Sequence, residues 1–230
     1  KYQVLSLGGA VKHQKHDPIR TEEWGSDWVI LPIDGYGNQE MIRSILRQEK
    51  PDILWFMTDP RFWGWLWEIE NEIRPLVPMV YYHVWDNYPY PEYNKPLYES
   101  NDLIASISKV THDIVNTVAP SVKNVYLPHA ISSDIFEKKP EAEVLHFAEN
   151  SFGEKWDPDK FVFFWNNRNA RRKQSGSLIF WFKTFLDRVG HDKACLVMHT
   201  DVKDQHGQNL EAIIKNLGLI KWLIIFRIRV

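Results

Sequence analysis

Short apolar runs that recur between segments of helical period constrain this chain most. YQVLSL (2–7) ends in GGA, and GNQEMIRSILRQ (37–48) then sets Met41, Ile42, Ile45 and Leu46 on one helical face before PDILWFM (51–57). The Trp-rich FWGWLWEIENEI (62–73) reads as a helix and PMVYYHVW (78–85) as a strand. After the Pro/Tyr segment DNYPYPEYNKP, unsuited to regular structure, come the strand DLIASIS (102–108), a helix in SKVTHDIVNTV opened by Ser108, and the strand VKNVYLP (122–128). Strand-length runs alternating with helices are the pattern of a parallel sheet covered by helices, so the fold class is α/β.

A second series starts later. Residues 137–160 are rich in Glu, Lys and Asp, carry Pro140 and Pro158 and show no strong period, so the domain junction falls there. Beyond it lie the strand FVFFWNN (161–167), the helix SLIFWFKTFLDRV (177–189), the strand KACLVMHT (193–200) and the helix GQNLEAIIKNLG (207–218). This reading divides the chain into a first domain over 1–138, a linker over 139–160 and a partial second domain over 161–230. Two strands and two helices make a small sheet, and IKWLIIFRIRV at the end is apolar without a turn or helix cap, which suggests a truncated or altered C-terminus.

Composition narrows the function classes. Lys+Arg 28 against Asp+Glu 30 gives a formal charge of -2, so no global field draws the chain to nucleic acid or an anionic membrane. No run approaches the ~20 apolar residues of a spanning helix. The single cysteine, Cys195, sits in the apolar run ACLVM, which rules out an intrachain disulfide framework and fits either a buried structural thiol or a reducing, cytoplasmic setting, the second being favoured. His13, His16 and Asp17 have metal-like spacing in HQKHDP but lack a fourth ligand, so no metal is expected. Neither G-x-S-x-G nor a phosphate-cradling GxxxxGK[ST] occurs.

Local charge is another matter. FVFFWNNRNARRKQSGS (161–177) runs from a buried strand into four cations within six residues, Arg168, Arg171, Arg172 and Lys173. In an open parallel sheet, ligands bind beyond the carboxyl ends of the strands, and a helix starting near Ser175 would aim its positive end there too. Such a loop suits an anion, a diphosphate in particular; the alternative is a solvated basic loop. Gly8 and Gly9, His83, and Asp59 with Arg61 lie at the corresponding ends of other strands. For each a structural reading stands beside the functional one: a simple turn, a core histidine, a turn-capping aspartate.

The order of segments resembles the retaining GT-B glycosyltransferases, family 4 in particular, whose members have two Rossmann-like domains. YLPHAISSDIF (126–136) resembles that family's "IPNGVD…F" segment, FVFFWNNRNARRKQ its "GR…KG" strand and loop, and ACLVMHT with GQNLEAIIKNLGL its following strand and helix. The resemblance implies two Rossmann-like parallel-sheet domains, the second incomplete. It implies a hexosyltransferase-like enzyme with a nucleotide-diphosphate sugar as donor, a saccharide or other hydroxyl acceptor, and no metal or other cofactor. By position, Arg168 and Lys173 would hold the donor diphosphate with Gly8 and Gly9 nearby, His83 would reach the transferred sugar as the catalytic residue, and Asp59 and Arg61 would meet the acceptor. This chain departs from the pattern at His129-Ala130, where the family has Asn-Gly, and at Asn167, where it has Gly. The acidic "E…E" segment that binds the donor's sugar and ribose does not follow Gly218, so this chain would bind donor weakly or be inactive, and a non-catalytic saccharide-binding module is the alternative.

Overall fold

The computed structural model describes residues 2–9, 12–153, 156–220 and 223–226, and the chain divides into two compact units, Lys1–Ile131 and Ser132–Val230. Both are α/β.

In the first unit, β1 (Val4–Gly8) pairs in parallel with β3 (Trp28–Pro32), and the two-residue β2 (Ile19–Arg20) joins β3 antiparallel. A second sheet is wholly parallel, in the order β4 (Leu54–Met57), β5 (Met79–His83), β6 (Leu103–Ser106), β7 (Asn124–Tyr126). All five residues of β5 are buried, as a central strand covered on both faces requires. Helix α1 (Gln39–Glu49) begins where the Asn38 side chain accepts from the Met41 N–H, and it buries Ile42 and Leu46. Each such side chain contributes roughly 1.5–3 kcal/mol by leaving water.

The segment expected to be one helix over 62–73 is broken into a 3₁₀ turn at Pro60–Phe62, α2 (Gly64–Trp67) and α3 (Glu70–Ile73). Trp63 and Ile69 leave the helical region, at φ -115° and -116°, so no continuous hydrogen-bond ladder forms. The indoles turn inward instead: Trp67 is buried and donates to Asn101 Oδ1 at 3.1 Å. The Pro/Tyr segment contains a 3₁₀ turn at Glu92–Asn94 and leads into α4 (Lys95–Glu99). Helix α5 (Lys109–Val118) is capped by Ser108, whose hydroxyl accepts from the Thr111 N–H.

The second unit opens with α6 (Glu141–Phe152), inside the stretch that showed no period. Its one fully buried residue is Ala148, too little to write a stripe into the sequence. The sheet is parallel, in the order β10 (Leu223–Phe226), β9 (Ala194–His199), β8 (Phe161–Asn166). Thus the apolar end of the chain includes a third strand. On β9, Ala194, Leu196 and Met198 face a core shared with α7 (Ser175–Val189) and α8 (Leu210–Asn216), while Cys195 and Val197 face Phe152 of α6. Cys195 is a buried thiol whose desolvation pushes its pKa up.

Candidate functional site

The basic loop of the second unit occupies the carboxyl end of β8, as the parallel order requires. After Asn166 the chain passes through Arg168, makes a 3₁₀ turn at Arg171–Lys173, and enters α7 from Gln174, which has φ +57°. Helix α7 begins at Ser175, and its Oγ is fully buried with no hydrogen-bond partner. The side chains of Arg171, Arg172 and Lys173 have no ion-pair or hydrogen-bond partner among the described residues; Arg171 and Arg172 are exposed and Lys173 is half-buried.

Arg168 is different. Its guanidinium grips Asp204 with two bonds, Nε to Oδ2 at 2.6 Å and Nη2 to Oδ1 at 3.2 Å, and Nη2 lies 3.0 Å from His206 Nδ1. The Arg168 guanidinium, followed by the His206 N–H, holds the Asp204 carboxyl down at about 2. The same carboxylate raises the pKa of Arg168. The planar fork that would take a phosphate therefore already holds a carboxylate of matching shape.

The loop after β9 is locked against the basic loop at further points. Asn169 is fully buried, donates through Nδ2 to the Gln208 carbonyl at 2.7 Å, and accepts from the Gln208 N–H at 3.3 Å. Gln208 Oε1 accepts from the Gly176 N–H at 2.8 Å, meeting one of the free donors at the start of α7. At Gly207 a Cβ would stand 1.8 Å from the Asn169 carbonyl oxygen, so only glycine allows the two loops to meet. Asp204, Gln208 and Asn169 are the residues that sequence reasoning missed. The signal was topological: neighbouring parallel strands bring their carboxyl-end loops together, so a polar loop after β9 had to face the cations after β8.

In the first unit the strand-end residues fall in two places. Gly9 backs onto the loop after β3, where a Cβ would lie 2.2 Å from the Gly35 carbonyl oxygen. The carbonyl of Gly8 receives the Ile33 N–H at 2.9 Å and lies 2.7 Å from His13 Nε2, while His16 Nε2 lies 3.4 Å from Asp34. Close packing of the chain on itself thus accounts for the glycine pair. Among the described residues no group of three or more His, Cys, Asp or Glu is gathered to hold a metal.

Asp59 caps the 3₁₀ turn by accepting from the Arg61 N–H at 3.1 Å, and its other oxygen pairs with the Arg61 guanidinium at 3.1 Å. Arg61 is largely exposed and sits 5.4 Å over the Phe62 ring. Phe62 in turn stacks on Tyr36 with ring centroids 4.1 Å apart. Asp59, Arg61, Phe62 and Tyr36 form one half-exposed cluster of charge and aromatic surface.

His83 has a geometry other than the sugar-touching one expected of it. It is fully buried, with Nδ1 3.0 Å from the Tyr81 hydroxyl and Nε2 2.7 Å from the Tyr98 hydroxyl. Burial pushes its pKa down to about 3, so the ring is neutral. Both nitrogens are engaged within the core, the arrangement of a structural histidine.

No protein-family model and no curated protein matches the sequence. Solved structures do. The chain is similar to trehalose-6-phosphate synthase OtsA, with a TM-score of 0.62, 12% identity, and coverage of 99% of this chain and 67% of that one. It is similar to a glycosyltransferase from Rickettsia africae (0.61, 14%, 86% and 55%) and to HepE from Anabaena in complex with UDP (0.59, 12%, 87% and 56%). It thus spans between about half and two thirds of the length of these proteins. Likeness extending over nearly the whole chain, through both α/β units, leads to one conclusion: this chain has the GT-B glycosyltransferase fold.

Proposed function

We propose that the chain is part of a glycosyltransferase that moves a hexosyl group from a nucleotide-diphosphate sugar to a hydroxyl acceptor, a saccharide or another alcohol, with retention at the anomeric carbon. One observation carries the reading: three cations without side-chain partners among the described residues, Arg171, Arg172 and Lys173, precede a fifteen-residue helix whose first hydroxyl, Ser175 Oγ, is buried and unmatched there. Cations, a helix N-terminus and a free hydroxyl favour two linked phosphates over a neutral ligand. The UDP held by HepE, a protein of the same fold, supports it further.

Lys173 neutralises charge that builds on the leaving diphosphate, and Arg168 adds to it once Asp204 is displaced. In this reading Asp59, half-buried, and Arg61, exposed, meet the acceptor at the first unit's rim. No metal or other cofactor takes part, and the setting is cytoplasmic. His83 supports the strand end from within and does not touch the sugar.

A second reading, a saccharide-binding module without catalysis, is favoured by the Arg168–Asp204 pair, which fills half of the expected phosphate grip from within. Calorimetry separates the two. UDP should bind the unaltered chain, and Lys173→Ala should weaken it about tenfold with an unchanged melting temperature. Saccharide binding with no heat from UDP would overturn the transferase reading in favour of the module.

A further inference from the structure

Thr58, just beyond β4, has φ +100°. A β-branched residue leaves that region unless its surroundings hold it there, because Cβ crowds the backbone. The holding group lies on the next strand. Tyr81 donates its hydroxyl proton to the Thr58 carbonyl at 2.5 Å. A carbonyl can only accept, so that proton is committed, and the Tyr81 oxygen must accept from His83 Nδ1, 3.0 Å away. The ring proton is therefore on Nδ1. In a neutral imidazole Nε2 is then a bare acceptor, matched by the Tyr98 hydroxyl at 2.7 Å. Asn94 Nδ2 donates to the Tyr98 oxygen at 3.4 Å and closes the chain.

Tyr98, His83 and Tyr81 each accept one bond and donate the next, with Asn94 as the first donor and the Thr58 carbonyl as the last acceptor, so the direction runs one way, from the turn after β5 to the turn after β4. Asn94, Tyr98, Tyr81 and His83 are all buried, which keeps water from substituting for any link. We propose that Tyr81, His83 and Tyr98 form a one-way hydrogen-bond relay that clamps the Thr58 carbonyl and so sets the turn presenting Asp59 and Arg61. These are positioning residues, and the relay holds the turn whatever the rim binds. Histidine suits the central place because it alone offers one donor and one acceptor on opposite sides of a rigid ring.

The test combines a spectroscopic signature with a rescue. In the unaltered chain, long-range nitrogen–proton correlation of labelled histidine should show His83 protonated at Nδ1 and bare at Nε2 from pH ~5 to ~8. Tyr81→Phe should lower the folding equilibrium constant about tenfold and speed amide exchange over 58–62. In a Thr58→Gly background, where positive φ carries no steric penalty, the same change should lose several-fold less. Protonation at Nε2, or a Tyr81→Phe loss equal in both backgrounds, overturns the proposal. If Tyr81→Phe fails to fold, the tautomer in the unaltered chain decides alone.

Discussion

Gly9 shows how a single residue can answer two questions at once. A methyl there would stand 2.2 Å from the Gly35 carbonyl oxygen, a backbone atom that cannot swing aside as a side chain can. Gly9→Ala should destabilise the first unit by about 2 kcal/mol, read as a lower midpoint in urea. An unchanged midpoint would show that the two loops part easily. Asp204 makes the opposite kind of residue: it supports the loop and occupies the guanidinium that a phosphate would want. Asp204→Asn should tighten UDP several-fold in calorimetry while lowering the melting temperature, because a neutral amide releases Arg168 and weakens the loop clasp. Looser binding would mean that Asp204 orders the site and does not compete for it. At this scale the cations after β8 were legible in the sequence, since charge and position along the chain are written there. Their pairing was not, because Asp204 is thirty-six residues from Arg168 and only strand order brings them together.

At the scale of elements, the legible ones combined an amphipathic stripe with a cap. Helices α1 and α5 have both, with Asn38 and Ser108 accepting from the third residue on. Asn38→Ala and Ser108→Ala should each cost about 1 kcal/mol, measured by chemical denaturation. Equal melts for variant and parent would assign those helix starts to packing alone. Elements with weak stripes were missed. Strand β3 is five residues ending at Pro32 behind the turn-rich TEEWGSD, and β2 has only two residues. Helix α6 buries little, and the indoles of 62–73 pack by tertiary fit and break the helix that their spacing suggested. Trp63 donates to the Met57 carbonyl at 2.8 Å, a contact that no helical period encodes.

For the whole molecule, acid should separate the two units. His83 is held near 3 against an ordinary 6.5, so it is neutral when folded and takes up a proton when unfolded. Its contribution is complete above about 6.5 and is lost as pH falls towards 3, at about 1.4 kcal/mol per pH unit. Asp204 is held near 2 against 3.8, so the second unit keeps that contribution down to about 3.8 and loses it only below. Amide exchange in β5 should accelerate between pH ~6.5 and ~4 after correction for intrinsic rates, while β9 changes little. Parallel loss in both strands would contradict the assignment of the buried, neutral ring to the first unit's stability.

By itself, the sequence determined the α/β alternation, the starts of α1 and α5, the basic loop and the glycine pair, because periodicity, capping and charge are properties of neighbouring residues. Only the tertiary structure decided that Arg168 closes on Asp204, that Gln208 reaches the first turn of α7, and that His83 lies buried between two tyrosine hydroxyls. Those outcomes depend on which strands lie side by side and on which side chains lose their water, and packing across the sheet settles both.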